Sequence, residues 1–332
     1  MMHIARRSLL GLALAGTTGA LGLAGSLPAA AEASPAYPDP NRPIRMVVPY
    51  PAGGATDVLA RLVAQKLGEA WKVPVVVDNR PGASGTLGTQ LVARAAPDGH
   101  TVLFSIVALV QQIPLMNLPY DPLKDFVPVT RVALSPSILA VPRSTPASNV
   151  REFVELVKAQ PGKYSYGSYG AGSSSHIQGS LLNLQGGLDM VHVPYQGGAP
   201  LVNAMMGGQL SAAFVDAGSS RPHLPKFKLL GITGTQRVSW LPDVPTFKEQ
   251  GLTGFEPLGW FGMLLPAGTP QPVVQKFSAE SLRILALPDV REKIEALGLV
   301  PAGDTPAEFA AVLRSDAAAY AAIIRDAQIR LN

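Results

Sequence analysis

Short apolar runs alternate along this chain with stretches in which apolar residues recur every three or four positions. Ile44 to Val48 is followed by Val58, Leu59, Leu62, Val63 and Leu67 at helical spacing. Val75 to Val77 is followed by Leu87, Leu91, Val92 and Ala95, and Tyr164 to Gly167 by Ile177, Leu181 and Leu184. Met190 to Val193 is followed in the same way by Leu201, Val202, Met205 and Met206. Strand then helix, repeated, predicts an α/β fold with largely parallel sheets. Thr101 to Ser105 is one more strand, introduced by a Pro97-Asp98-Gly99 turn. From Ile106 to Pro136 the pattern loosens around several prolines and reads as loops and short strands. From Pro270 onward the chain reads as helices, with Thr305 placed to cap the last.

The four junctions share a chemistry. Each strand runs into a glycine- or serine-rich loop: Pro49 to Gly54, Pro81 to Gly85, Ser168 to Ser175, and Tyr195 to Gly198. Such loops open helices whose first-turn N–H groups have no partner within the helix, which makes each junction a candidate anion site. In α/β sheets, ligands collect at the carboxyl ends of strands, where these loops lie. Taken one at a time, Thr56 and Asp57 also fit as helix caps, and Ser84 and Ser173 as turn residues.

Two apolar runs, Leu139 to Val141 and Met263 to Leu265, end in Pro-x-x-Thr-Pro and lead into helices. Asn149 and Glu152 have capping-box spacing at the first of these. Matching exits suit a chain that leaves one domain, builds a second and returns. The expected division is 34–141 with 265–332 as domain 1 and 142–264 as domain 2, with the crossings near Val141 and Leu265 acting as a hinge.

Length and composition narrow the function. The 332 residues suffice for about two domains. Cysteine is absent, which removes disulfides and thiolate chemistry. A formal charge of +4, with Lys and Arg dispersed, gives no basis for nucleic-acid binding. Arg6 and Arg7 precede an apolar, small-residue run, and Ala31-Glu32-Ala33 has the form of a signal-peptidase site, so residues 1–33 are expected to be a cleaved export signal. G-x-S-x-G occurs nowhere, the histidines show no metal-ligand spacing, and Gly82-x-x-Gly85-x-x-Gly88 departs from the dinucleotide pattern. Neither metal nor cofactor is expected. An NAD(P)-binding or hydrolytic α/β enzyme acting on a small acid, with Ser168, Ser173, His176 and Asp216 as conceivable catalytic groups, is the alternative reading.

Six segments together carry a family resemblance. PYPAGGATDVLAR from Pro49, VVVDNRPGASGTLGTQLVARAAPDGHT from Val75, YGSYGAGSSSH from Tyr166, VPYQGGAP from Val193, LPDVPTFKEQG from Leu241 and WFGMLLPAGTP from Trp260 resemble the Bug, or TctC-like, solute receptors of tripartite tricarboxylate transporters. The resemblance spans nearly all of the chain after the signal. It implies a periplasmic binding protein, type II-like, of two α/β domains with a ligand cleft between them. It also implies a monomer that binds a small carboxylate for membrane permease subunits and is not an enzyme. Ligand-side residues would be Ala52, Gly53, Gly54, Thr56 and Asp57 from the first loop, Ser84 and Gly85 from the second, and Ser105 from the third strand. The second domain would add Ser168, Gly170, Ser173, Gln196 and Asp216. The chain departs from the family pattern at Leu210-Ser211 and at Ile113-Pro114.

Overall fold

The computed structural model describes residues 37–216, 218 and 220–330. The export signal read over residues 1–33 lies outside them. The elements in chain order begin with β1 Ile44–Val48, α1 Ala55–Trp71, β2 Val75–Asn79, α2 Thr86–Ala93, β3 Thr101–Ile106, α3 Ala108–Gln111 and β4 Phe126–Ser135. Next come β5 Ser137–Pro142, α4 Val150–Lys158, β6 Ser165–Ser168, α5 Ser174–Gly186, β7 Val191–Pro194, α6 Gly198–Met206, β8 Ala212–Asp216 and β9 Phe227–Ile232. The chain closes with β10 Gly259–Pro266, α7 Gln271–Leu285, α8 Pro288–Ala296, β11 Val300–Pro301 and α9 Pro306–Asp326.

The strands form two sheets, ordered β11-β4-β10-β3-β1-β2 and β7-β6-β8-β5-β9. β1 is parallel to β2 and β3, and β10 is antiparallel to both β3 and β4, so β1 to β4 all point one way with β10 inserted among them. The second sheet repeats the scheme: β6, β7 and β8 are parallel, and β5 is antiparallel to its neighbours β8 and β9. Each sheet is thus a same-direction set interrupted by one strand that arrives from the other lobe, with the two-residue β11 at the edge of the first sheet also running against the set. Pro136 alone separates β4 in the first sheet from β5 in the second, and the chain regains the first sheet at Gly259. Ser135 and Gly259 are register partners, so the two passages lie side by side. They fall at the starts of β5 and β10, one strand length before the Pro-x-x-Thr-Pro exits that close those strands. A proline exit marks where a strand stops, and the lobe changes where it begins.

Burial follows the two-residue period of a strand. Ile44, Met46 and Val48 pack beneath α1 and α7 with Leu59, Val63 and Phe277, while Val47 joins Leu103, Trp260 and Phe309 on the other face. The second lobe centres on the stacked rings of Phe214, Phe247 and Phe255. Both anticipated caps form: Asn149 accepts from the Glu152 N–H at 2.9 Å, and Thr305 with Glu308 makes a full capping box. The stretch expected to be loops and short strands instead contains α3 and the ten-residue β4. Pro128 is tolerated inside β4 because it sits opposite Leu264 beside a register shift, where the ladder is already broken.

Candidate ligand cleft

Between the lobes lies a cavity of about 410 Å³, with a smaller one of about 150 Å³ sharing Ile106, Val107, Tyr169 and Ser174 with it. The first lobe contributes the ends of three strands. Tyr50 follows β1, Ser84 follows β2, and Ile106 to Ala108 lead from β3 into α3. The second lobe contributes the loop Tyr169 to Ser174, between β6 and α5.

The loop after β1 is braced from within. Asp57, only 4% exposed, accepts from the Gly53 N–H at 2.9 Å, from Arg61 Nε at 3.0 Å and from Asn79 Nδ2 at 3.0 Å. Burial pushes its carboxyl up, yet these bonds together hold it below the usual range. The loop after β2 is tightly wound, with positive φ at Gly82, Ala83, Ser84 and Gly85 in succession. A Cβ on Gly85 would lie 3.1 Å from the Tyr50 hydroxyl, so that position requires glycine. Gln112 Nε2 donates to the Ser84 carbonyl at 2.8 Å and fixes the turn against α3.

The loop after β6 is braced by side chains beneath it. Ser168 is fully buried; its hydroxyl meets His192 Nε2 at 2.7 Å and takes the Gly170 N–H at 3.1 Å. The Gly172 N–H donates to His176 Nδ1 at 3.0 Å, and the imidazoles of His176 and His192 stack 3.8 Å apart. Both rings titrate below the usual histidine value: burial lowers His176, and burial with the neighbouring His176 takes His192 down to about 4. They are neutral at neutral pH, as an acceptor Nδ1 requires. Ser173 caps α5, and Gln111 Nε2 reaches across the cleft to Ser174 Oγ at 2.9 Å. At the end of β8, Asp216 accepts from Ser135 Oγ, and its backbone N–H donates to the Tyr169 hydroxyl.

Four of the residues named from the sequence line these cavities: Ser84, Gly170 and Ser173 the larger, Asp216 the smaller. Asp57, Gly85, Ser105 and Ser168 form the layer behind, with Ser105 beside the Tyr50 phenol. Ala52, Gly53, Gly54, Thr56 and Gln196 are outside both linings. Tyr50, Val107, Gln111, Gln112, Tyr169 and Ser174 were not singled out. Tyr50, Tyr169 and Ser174 fall inside the quoted motifs, whereas the Gln111-Gln112 pair gave no signal because its stretch lacked periodicity.

The larger cavity carries no Lys, Arg, His, Asp or Glu on its walls. What it offers is hydroxyls, amides and the first turn of α5, whose N–H groups have no acceptor within the helix. Among the described residues no cluster of His, Cys, Asp and Glu is arranged to hold a metal ion, and no helix is long and apolar enough to cross a membrane. Two α/β lobes joined by paired crossing strands, with helix-opening loops facing a cleft, define the class of solute-binding receptors. The chain belongs to the tripartite tricarboxylate transporter receptor family, TctC, whose sequence profile matches residues 59–329. Members of this family are periplasmic solute-binding proteins. Over 331 residues the chain is 37% identical to the UPF0065 protein in the tcbD-tcbE intergenic region of Pseudomonas sp. (strain P51), covering 98% of this chain and 96% of that one. Rpa4515 of R. palustris, solved with adipate, superposes with a TM-score of 0.76 at 29% identity, covering 88% of this chain and 99% of that one. MatC (Rpa3494) from Rhodopseudomonas palustris, solved with malate, gives 0.72 at 32% identity, covering 86% and 100%.

Proposed function

We propose that this receptor captures a small carboxylate between its two lobes, the chain leaving the first near Pro136 and regaining it near Gly259, and presents it to membrane permease subunits of a tripartite transporter. It acts in the periplasm as a monomer, after removal of residues 1–33, and returns its ligand chemically unchanged. The observation that carries the reading is the α5 N-terminus opening onto a cavity lined by neutral donors. Hydrogen bonds to an ionised group contribute ~1.5–3 kcal/mol each, so three or four reach the ~8 kcal/mol of micromolar binding when the donors are held in place. The bonds from Ser168, His176 and Gln112 supply that preorganisation. The bound acids of Rpa4515 and MatC support a carboxylate as the ligand class.

Hydrolysis is the weaker reading. Ser168 and His192 are in contact in the layer behind the cleft, but Ser168 is fully buried and serves the Gly170 amide. A histidine lowered to about 4 is also a poor general base at neutral pH. Calorimetry with a panel of acids and their amides tests the proposal. Acids should bind at least tenfold tighter than matched amides and be recovered intact; equal binding, or turnover of the acid, would overturn it.

A further inference from the structure

Resting on the carboxylate reading, the geometry points to a narrower ligand class: a monocarboxylate with an apolar body, aliphatic or aromatic. The anion end is at the Gly170 to Ser174 loop. The larger cavity is also lined by the apolar Val107, Ala108, Leu115 and Met116 and by Tyr50. Several polar side chains on these walls already serve the protein: Gln111 bonds Ser174, Gln112 bonds the Ser84 carbonyl, Ser173 Oγ donates to the Gly170 carbonyl, and Tyr169 bonds the Asp216 N–H. A second carboxylate in this space would lose its water and find no cation and few donors in return.

The other direction is closed to a second anion for a different reason. The adjoining cavity carries the Asp216 carboxylate, which accepts from Ser135. A ligand long enough to enter it would bring like charge against like charge. One route is apolar and the other acidic, so both select for a single charge. An apolar body instead covers the Leu115 and Met116 wall and releases the water there. The volume of about 410 Å³ leaves room for an acid of benzoate or hexanoate size.

The test is calorimetry on the exported chain with pairs matched in size and differing by one charge: hexanoate with adipate, and benzoate with terephthalate, with hexanamide and benzamide alongside. The monocarboxylate of each pair should bind at least tenfold tighter than the dicarboxylate. Met116→Lys, which adds a cation to the apolar wall, should close or reverse that gap. If acids bind better than amides but the dicarboxylates match or exceed the monocarboxylates, this inference is overturned while the carboxylate reading stands. If no acid binds better than its amide, the carboxylate reading fails and takes this inference with it.

Discussion

The loops after β1 and β6 are alike in sequence and opposite in electrostatics. Each is a strand, a glycine turn and a helix, yet the first helix already has its anion. Asp57 sits buried in the first turn of α1, tied to Gly53, Arg61 and Asn79, so the favourable end of that helix dipole is occupied by the chain itself. The α5 turn holds no acidic residue; it is capped by the neutral Ser173 and braced by two neutral imidazoles. On the proposed function, the first loop neutralises itself and the second is left to meet the ligand.

The strongest way to break this comparison is to give α5 what α1 has. Ser174→Asp puts a carboxylate at the first position of the helix, where an acid favours the fold and can still accept from Gln111 Nε2. Carboxylate affinity should fall at least a hundredfold with the melting temperature unchanged or slightly higher. Titration calorimetry and a thermal melt decide it. Affinity kept within threefold would place the anion elsewhere.

The converse change tests the first loop. Asp57→Asn removes the charge from three hydrogen bonds and leaves Arg61, half-exposed and still bonded to Asn79 Oδ1, without its ion-pair partner, which should cost about 1–2 kcal/mol of stability in denaturant unfolding. Ligand affinity should move by less than about threefold, because Asp57 supports the fold and is outside the cavity walls. A loss of affinity as large as that of Ser174→Asp would erase the distinction between the two loops.

The histidines beneath the second loop add a pH dependence at milder acidity than the lowered Asp57 carboxyl gives the first. His176 and His192 titrate lower in the fold than in the unfolded chain, so the unfolded chain binds more protons as pH falls. Their stabilisation is complete above about pH 6.5 and is lost as pH drops toward 4. His192 is half-buried, so solvent screening reduces the realised loss to the order of 1–2 kcal/mol. Asp316 acts in the opposite sense. Burial raises its carboxyl to about 6 while Trp260 Nε1 donates to it at 3.0 Å, so the fold gains from its protonation in the same window. Unfolding at pH 7 and pH 5 should therefore be compared between the native chain and His192→Asn. The native chain should lose more than the variant on acidification; equal losses would mean that the stacked pair does not titrate in this range.

Much of the scaffold was legible in the sequence. β1 runs from Ile44 to Val48 as its apolar run implies, and the Asn149 and Thr305 caps form because their partners lie only three residues away. The loops were legible for the same reason, since strand, turn and helix are local patterns. What local patterns do not carry is which loops face one another. Gln111 matters through Ser174, which is 63 residues distant, and Ser168 through His192, 24 residues distant. The changes of sheet at Pro136 and Gly259 were likewise not legible, since strand exits have a proline signature and changes of sheet do not. Asp57 was legible as a cap or as a ligand group; what the sequence did not carry was its three internal bonds, one of them to Asn79 on β2.

The smallest effect sharpens the comparison most economically. Gly54 is the N-cap of α1, with φ −77° and ψ 169°, a conformation open to any residue, and no side chain caps the helix. A Cβ there would meet only the Pro51 carbonyl, at 3.9 Å, which is ordinary contact. Gly54→Ser therefore adds a hydroxyl where the first-turn N–H groups lack an acceptor and reduces the freedom of the unfolded chain. Glycine is already a fair cap, so the gain should be a few tenths of a kcal/mol to about 1 kcal/mol, a rise of a degree or two in melting temperature. If α1 is neutralised by Asp57 and plays no direct part in binding, calorimetry will show the same affinity in the variant and the native chain. If the ligand instead approaches the Gly53-Gly54 backbone closely, as the family resemblance implies, the added side chain will obstruct it and affinity will drop tenfold or more. Gain in stability with unchanged affinity leaves the α5 junction as the anion site; gain in stability with lost affinity restores the first loop to the cleft.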